Sequence, residues 1–262
     1  MAENNLTGRS ALIRLSRQCG GKWADVYRGI KDKDLGVLSV QDPTPEELHG
    51  WTPITLLDDG YPQRLKGSNK PPFVVYCKGD LSLLTAQSLL YVCENRSGDN
   101  PHPAVDNLIW DIAREGIVPI VCWRPIKGGG QLATVLEAHE TTGKPLIVLI
   151  PASAKDPDRL GDRIAAFGGL AIRESFPGSE RELRAEEDRI AAALCSACLV
   201  VGGDKGANPT TLLSYALYAG KDAGAVAYAM GDPDGYLPTL AAKEGALLVV
   251  SLSDVRDLLG GE

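Results

Sequence analysis

A doubly wound α/β domain with a mainly parallel sheet, preceded by a small helical region, is the fold class this sequence predicts. Three observations carry the prediction. From residue 53 onward, short apolar runs alternate with longer segments of helical periodicity. Those short runs are apolar at successive positions, as strands covered on both faces require. Before residue 53 only short helical patterns occur. The expected division is therefore 1–52 for the helical region and 53–262 for the α/β domain.

In the first region, Leu12 with Leu15, then Trp23, Val26, Tyr27 and Ile30, recur at three- and four-residue steps and predict apolar helix faces. Gly20-Gly21 and Asp32-Lys33-Asp34 separate the helices. Thr44-Pro45-Glu46-Glu47 is a helix start: a Thr cap, Pro in the first turn, and two acids near the positive end of the dipole. Beyond it, strands are predicted near 53–57, 73–77, 89–93, 117–122, 146–150, 198–202 and 224–229. Helices are predicted near 103–115, 131–142, 158–167, 181–195 and 209–220. Leu247–Ser251 and Asp254–Leu259 read as a last strand and helix.

With 44% hydrophobic and 23% charged residues in 262, the composition is that of a globular protein. No apolar run nears the roughly 18 residues of a membrane span, and the polar N-terminus does not read as a secretory signal. The expected location is the cytoplasm. A net charge of −7 excludes a broadly basic nucleic-acid surface, so any such site must be a local cluster. The six cysteines do not form a disulfide framework. Cys77, Cys93, Cys122 and Cys198 lie in or beside apolar runs and read as buried thiols.

In an open parallel sheet, ligands bind outside the carboxyl ends of the strands. Three strand-to-helix loops stand out: Glu94 to Gly98, Trp123 to Gln131, and Gly202 to Thr210. They carry Arg96, Arg124, Lys127 and Lys205, and the glycine run Gly128-Gly129-Gly130 would let backbone N–H groups approach an anion. Asn208 as cap, Pro209 at the first helical position and Thr210 define another anion-ready helix start. One shallow, locally positive pocket is expected there, with Trp123 beside it to stack on a base. Cys195-Ser196-Ala197-Cys198 reads as a buried structural pair, and neither metal nor cofactor is expected. His49, His102 and His139 are scattered and read as structural or solvated, Trp51 and Trp110 as packing residues. The run Arg181 to Arg189 reads as a solvated helix face.

Gly60-Tyr61-Pro62, Leu65, Pro71-Pro72, the apolar Phe73-Val74-Val75, Tyr76 and Lys78-Gly79-Asp80 resemble the opening motif of the DprA/Smf family. The likeness continues to about residue 250. Cys93-Glu94-Asn95-Arg96 stands where the family has Val-Gly-Thr/Ser-Arg, keeping the arginine. Gly168-Gly169-Leu170 with Glu174-Ser175-Phe176-Pro177-Gly178 resembles its Gly-Gly-Leu and Ser-Glu-Tyr/Phe-Pro-x-Gly. Glu187-Asp188-Arg189-Ile190 sits on its Arg-Asn-Arg-Ile, and Ala207-Asn208-Pro209 replaces its Ser-Gly-Ser turn. Scaffold motifs persist and loop motifs have drifted. The resemblance implies a Rossmann-like sheet and a bacterial, non-enzymatic protein that binds single-stranded DNA in natural transformation and loads RecA. It also implies a homodimer, and the winged-helix module of some members is not expected here. A second resemblance, of Gly128-Gly129-Gly130 and Gly202-Gly203 to the lysine-decarboxylase-like phosphoribohydrolases, implies a nucleotide or small-anion pocket. Asn208-Pro209-Thr210-Thr211 lacks the glutamate those enzymes use, so no hydrolysis is expected.

Overall fold

A computed structural model of the protein describes residues 8–32, 41–95, 102–123, 130–178, 187–204 and 220–260. Their centre is a nine-stranded sheet in the order β1-β2-β6-β5-β4-β3-β7-β8-β9. The strands are β1 (Thr52–Thr55), β2 (Val74–Gly79), β3 (Leu89–Asn95), β4 (Val118–Cys122), β5 (Ile147–Leu149), β6 (Leu170–Arg173), β7 (Ala197–Gly203), β8 (Asp222–Val226) and β9 (Leu247–Val249). Only the pairings of β2 with β1 and with β6 are antiparallel; the other six are parallel. The mainly parallel sheet is thus observed.

Alternate side chains of each strand enter opposite cores, as the two-residue period of a strand demands. One face holds Tyr76, Val92, Val121, Val148 and Leu199. It is covered by α5 (Pro103–Glu115), α6 (Gly130–Thr142), α7 (Pro157–Ala166) and α10 (Leu252–Leu258). The other holds Val75, Tyr91, Ile120, Ile147, Ile172 and Val200 under Leu65 of α4 (Gln63–Lys66), Ile190 and Leu194 of α8 (Glu187–Leu194), and Leu237 of α9 (Tyr236–Lys243). Helices on both faces make the sheet doubly wound.

The motif residues explain themselves physically. The buried Tyr61 hydroxyl donates to the Pro72 carbonyl at 2.6 Å, closing the turn before β2, while Leu65 is wholly buried beneath it. Gly79 has φ +115°, and a Cβ there would lie 2.1 Å from the Gly169 carbonyl oxygen. Lys78-Gly79-Asp80 and Gly168-Gly169-Leu170 are therefore two halves of one close approach between β2 and β6. Only glycine permits it at residue 79.

Ahead of the sheet lie α1 (Gly8–Cys19), α2 (Trp23–Lys31) and α3 (Pro45–Leu48). Thr44 caps that helix as expected, and Glu47 reaches back to the Thr44 N–H to complete a capping box. Leu15 and Val26 face the core as expected, but Tyr27 and Ile30 stay 49% and 43% exposed, because α2 uses a narrower stripe than its periodicity offers. Trp23 stacks on Tyr27 and Phe73 and donates to the Pro71 carbonyl. Ser16 accepts from the Tyr76 hydroxyl at 3.0 Å. The Asp158 carboxylate of α7 takes the Trp51 indole N–H at 2.6 Å and lies 2.7 Å from His49 Nδ1.

Three expectations need correction. Leu170–Arg173 is a strand and Tyr236–Lys243 a helix, and neither was expected. Pro238 lies within the first turn of α9, where proline is tolerated, so it masks the helix without breaking it. Within the run expected to be a solvated face, Asp188 and Arg189 are buried. Asp188 accepts from the Tyr91 hydroxyl at 2.6 Å, and Arg189 pairs with Glu174 at 2.6 Å and reaches the Lys70 carbonyl. Residues 181–186, and 209–219 of the helix expected near 209–220, lie outside the described residues. Cys195 and Cys198 are fully buried, as expected of a structural pair. Cys198 Sγ lies 3.4 Å from Cys93 Sγ, a contact that with burial pushes its thiol well up.

Candidate functional site

Strand order reverses at β3: the chain crosses first to β4 on one side and later to β7 on the other. Such a switch point opens a crevice outside the carboxyl ends of the two diverging strands. Here those ends are Asn95 of β3 and Gly203 of β7, with Cys122 of β4 and Val226 of β8 beside them.

The strand ends are shaped by a bulge. Cys93 pairs with Val200 and Glu94 with Gly202, leaving Val201 as the extra residue of β7. Its carbonyl accepts the Tyr228 hydroxyl at 2.5 Å. Gly203 N–H donates to the Asp234 carbonyl at 2.8 Å, so the loop after β8 is laced over the end of β7. Gly235 is obligatory at that crossing, since a Cβ would come within 2.6 Å of Tyr228 Cβ. From the other side His102, at the start of α5, sets its ring 4.7 Å from that of Tyr228, with Nε2 3.4 Å from Asp232.

Among the described residues, the charged side chains of these strand ends and of the loop after β8 are Glu94, Asp204, Asp232 and Asp234, all partly exposed. This wall is acidic. Of the expected site residues, Gly130 is the first residue of α6. Arg96, Arg124, Lys127, Gly128, Gly129, Lys205, Asn208 and Thr210 lie outside the described residues. What the described residues fix is where their segments begin: after Asn95, Trp123 and Asp204, on three adjacent parallel strands. Trp123 is half-buried, packs against the core and donates its backbone N–H to the Leu149 carbonyl at 2.7 Å. Trp51 is buried, as expected.

The loop from Ala227 to Gly235, with His102, is the part of this site that the motif reading missed. The signal was available, because every loop after a parallel strand borders the crevice, and Gly231-Asp232-Pro233-Asp234-Gly235 is dense in turn residues. Among the described residues, no group of three or more His, Cys, Asp or Glu side chains could hold a metal ion, and no helix is long and apolar enough to cross a membrane.

No protein-family model matches the chain, and no curated protein does. Solved structures do match. DNA processing protein A (DprA) from Streptococcus pneumoniae superposes with a TM-score of 0.67 at 22% identity, over 89% of this chain and 81% of that one. DNA processing protein A from Helicobacter pylori, which has a unique single-stranded DNA binding mode, superposes with a TM-score of 0.60 at 16% identity, over 80% of this chain and 95% of its own. The Rossmann-like α/β fold of this chain is therefore the fold of DprA.

Proposed function

We propose that this chain is a divergent DprA/Smf protein that binds single-stranded DNA, connected with natural transformation and RecA loading. In this reading residues 53–262 are the DprA-like domain and 1–52 its helical appendage. It acts in the bacterial cytoplasm by binding and hand-over, with no catalysis of its own. The observation that carries the reading is the DprA fold over most of the chain, joined to the opening motif at Gly60 to Asp80.

Phosphates would be held by Arg96, Arg124, Lys127 and Lys205, with backbone N–H groups of Gly128 to Gly130 and the Asn208 and Thr210 turn as further donors. With only these few cations on an acidic body, binding is weak and its salt dependence shallow. RecA as partner rests on the resemblance. For the homodimer, the sheet edge at β9 is a candidate face: among the described residues β9 pairs only with β8, and Leu247, Leu248 and Val250 are 45%, 55% and 71% exposed.

Fluorescence anisotropy with an oligothymidine length series and a mononucleotide tests the reading. Affinity that rises with length and collapses in Arg96→Ala with Lys127→Ala is the expected result. Length-independent affinity, equal for the mononucleotide, would overturn it in favour of a nucleotide pocket.

A further inference from the structure

A second concavity lies on the same side of the sheet, beyond the carboxyl end of β6. It is a cleft of about 380 Å³ between the end of α1, the turn after α3 and the segment following β6. Arg17 and Gln18 line one wall, Glu47 and His49 another, and Phe176 and Pro177 supply an apolar lining. The end of β6 lies three strand spacings from the end of β3, roughly 14 Å along the rim.

The chemistry of the cleft is specific in what it leaves open. Arg17 is paired with Glu47, donates to the Gln41 carbonyl, and lies over the Phe176 ring with 5.9 Å to its centroid. The charges of the pair cancel, so the cleft carries little net attraction for a phosphate. His49 Nδ1 is occupied by Asp158, whereas its Nε2 has no partner among the described residues. The Gln18 amide, exposed at the end of α1, has none there either. A guanidinium plane backed by an aromatic ring, an amide with both donor and acceptor, and a free imidazole nitrogen match a flat, uncharged ring with hydrogen-bonding edges. The volume suits one such group.

We propose that this cleft is a nucleobase pocket. Its occupant is either a base of a strand leaving the β3/β7 crevice along the rim or the base of a free nucleoside. As a subsite for a strand the proposal rests on the single-stranded DNA reading; as a nucleoside pocket it does not.

The test uses the full chain, a tetrathymidine, an oligothymidine of about twelve nucleotides, and free nucleosides. Gln18→Ala with His49→Gly empties the cleft of its free polar groups, and glycine accepts the φ of +50° at residue 49. Thermal unfolding of the variant confirms that it folds; should it not, Gln18→Trp, which fills the cleft from an exposed position, takes its place. For a strand subsite, the long oligonucleotide gains about tenfold over the short one, one stacked base's worth, and the variant loses that gain while keeping tetrathymidine affinity. For a nucleoside pocket, a free nucleoside binds and the variant does not bind it, whether or not DNA binds. Tetrathymidine binding with no length gain sensitive to the variant, and no nucleoside binding, would overturn the cleft and leave the DNA reading standing. Absence of all binding would overturn both.

Discussion

At the β6 end of the rim, charged side chains are buried among partners; at the β3/β7 end they remain partly exposed at the strand ends and on the loop after β8. Arg173 is 2% exposed, donates to Ser175 and lies over the Trp51 ring, and burial pulls its guanidinium below the usual range. Lys78 reaches the same indole and Asp162, and Glu174 pairs with Arg189 with both side chains under 10% exposed. Burial works against ionised Asp158, yet the hydrogen bonds from Trp51 and His49 hold its carboxyl below the usual range. Lys78, Glu174 and Asp158 each have an ionic or hydrogen-bonded partner that offsets the cost of burial, and Arg173 has the Ser175 hydroxyl and the Trp51 ring. The β3/β7 end differs in exposure: Glu94, Asp204, Asp232 and Asp234 are all partly exposed, and Asp232 meets His102 at 3.4 Å. That contrast bears on the pattern of motifs, since the matched charges at β6 are fixed by burial, whereas partly exposed side chains tolerate change.

The largest effect should come from breaking a buried ion pair. Arg189→Ala takes from buried Glu174 its guanidinium partner and should lower stability by about 4 kcal/mol, read as the shift in urea midpoint. A loss under about 1 kcal/mol, the worth of an exposed pair, would erase the distinction between the two ends. The next effect is set by acid. His139 on α6 is fully buried, and its ring nitrogens make no well-formed hydrogen bond among the described residues, with only the backbone at Lys144 and Pro145 near enough to favour the charged form slightly. Burial pushes its pKa from 6.5 down to about 4. The unfolded chain therefore takes up a proton between those values that the native chain refuses. Stability is whole above pH 6.5 and falls as pH drops towards 4, by about 3 kcal/mol in total. In His139→Leu that contribution to the pH profile should vanish. Smaller again is Asp158→Ala, which leaves the Trp51 N–H without its acceptor and should cost about 2 kcal/mol; Trp51→Phe in the same background should then cost little beyond lost packing.

How much of this was legible follows the same contrast. The sheet and most of its helices were readable because strands buried on both faces write continuous apolar runs, and because Pro103, Pro157 and Gly116 mark helix ends. β6 was not readable: three apolar residues precede Arg173, and a buried arginine on a strand looks like the start of a loop. Asp188 and Arg189 were misread for the same reason, since a mixed-sign run gives no sign of which charges will find buried partners. At the crevice the strand-end rule located the region, and His102, Tyr228 and Asp232 escaped because they meet only once β3 and β8 are placed either side of β7.

The smallest effect on stability should belong to the residues proposed to hold phosphate. Arg96→Ala with Arg124→Ala alters residues that follow the ends of β3 and β4 in the sequence, and if their work is to hold a ligand rather than the fold, stability shifts by less than about 0.5 kcal/mol. If both cations neutralise phosphates, each accounts for about 0.7 of the slope of log K against log salt for a single strand. The double variant should therefore flatten that slope by about 1.4 while its urea midpoint stays put. The acidic wall gives the opposite control. Asp232→Asn and Asp234→Asn remove repulsion without removing a phosphate contact, so affinity should rise at low salt, and the gain should fade as screening increases. A double arginine variant that keeps the parental slope, or one that unfolds early, would place those arginines with the structural charges of the β6 end.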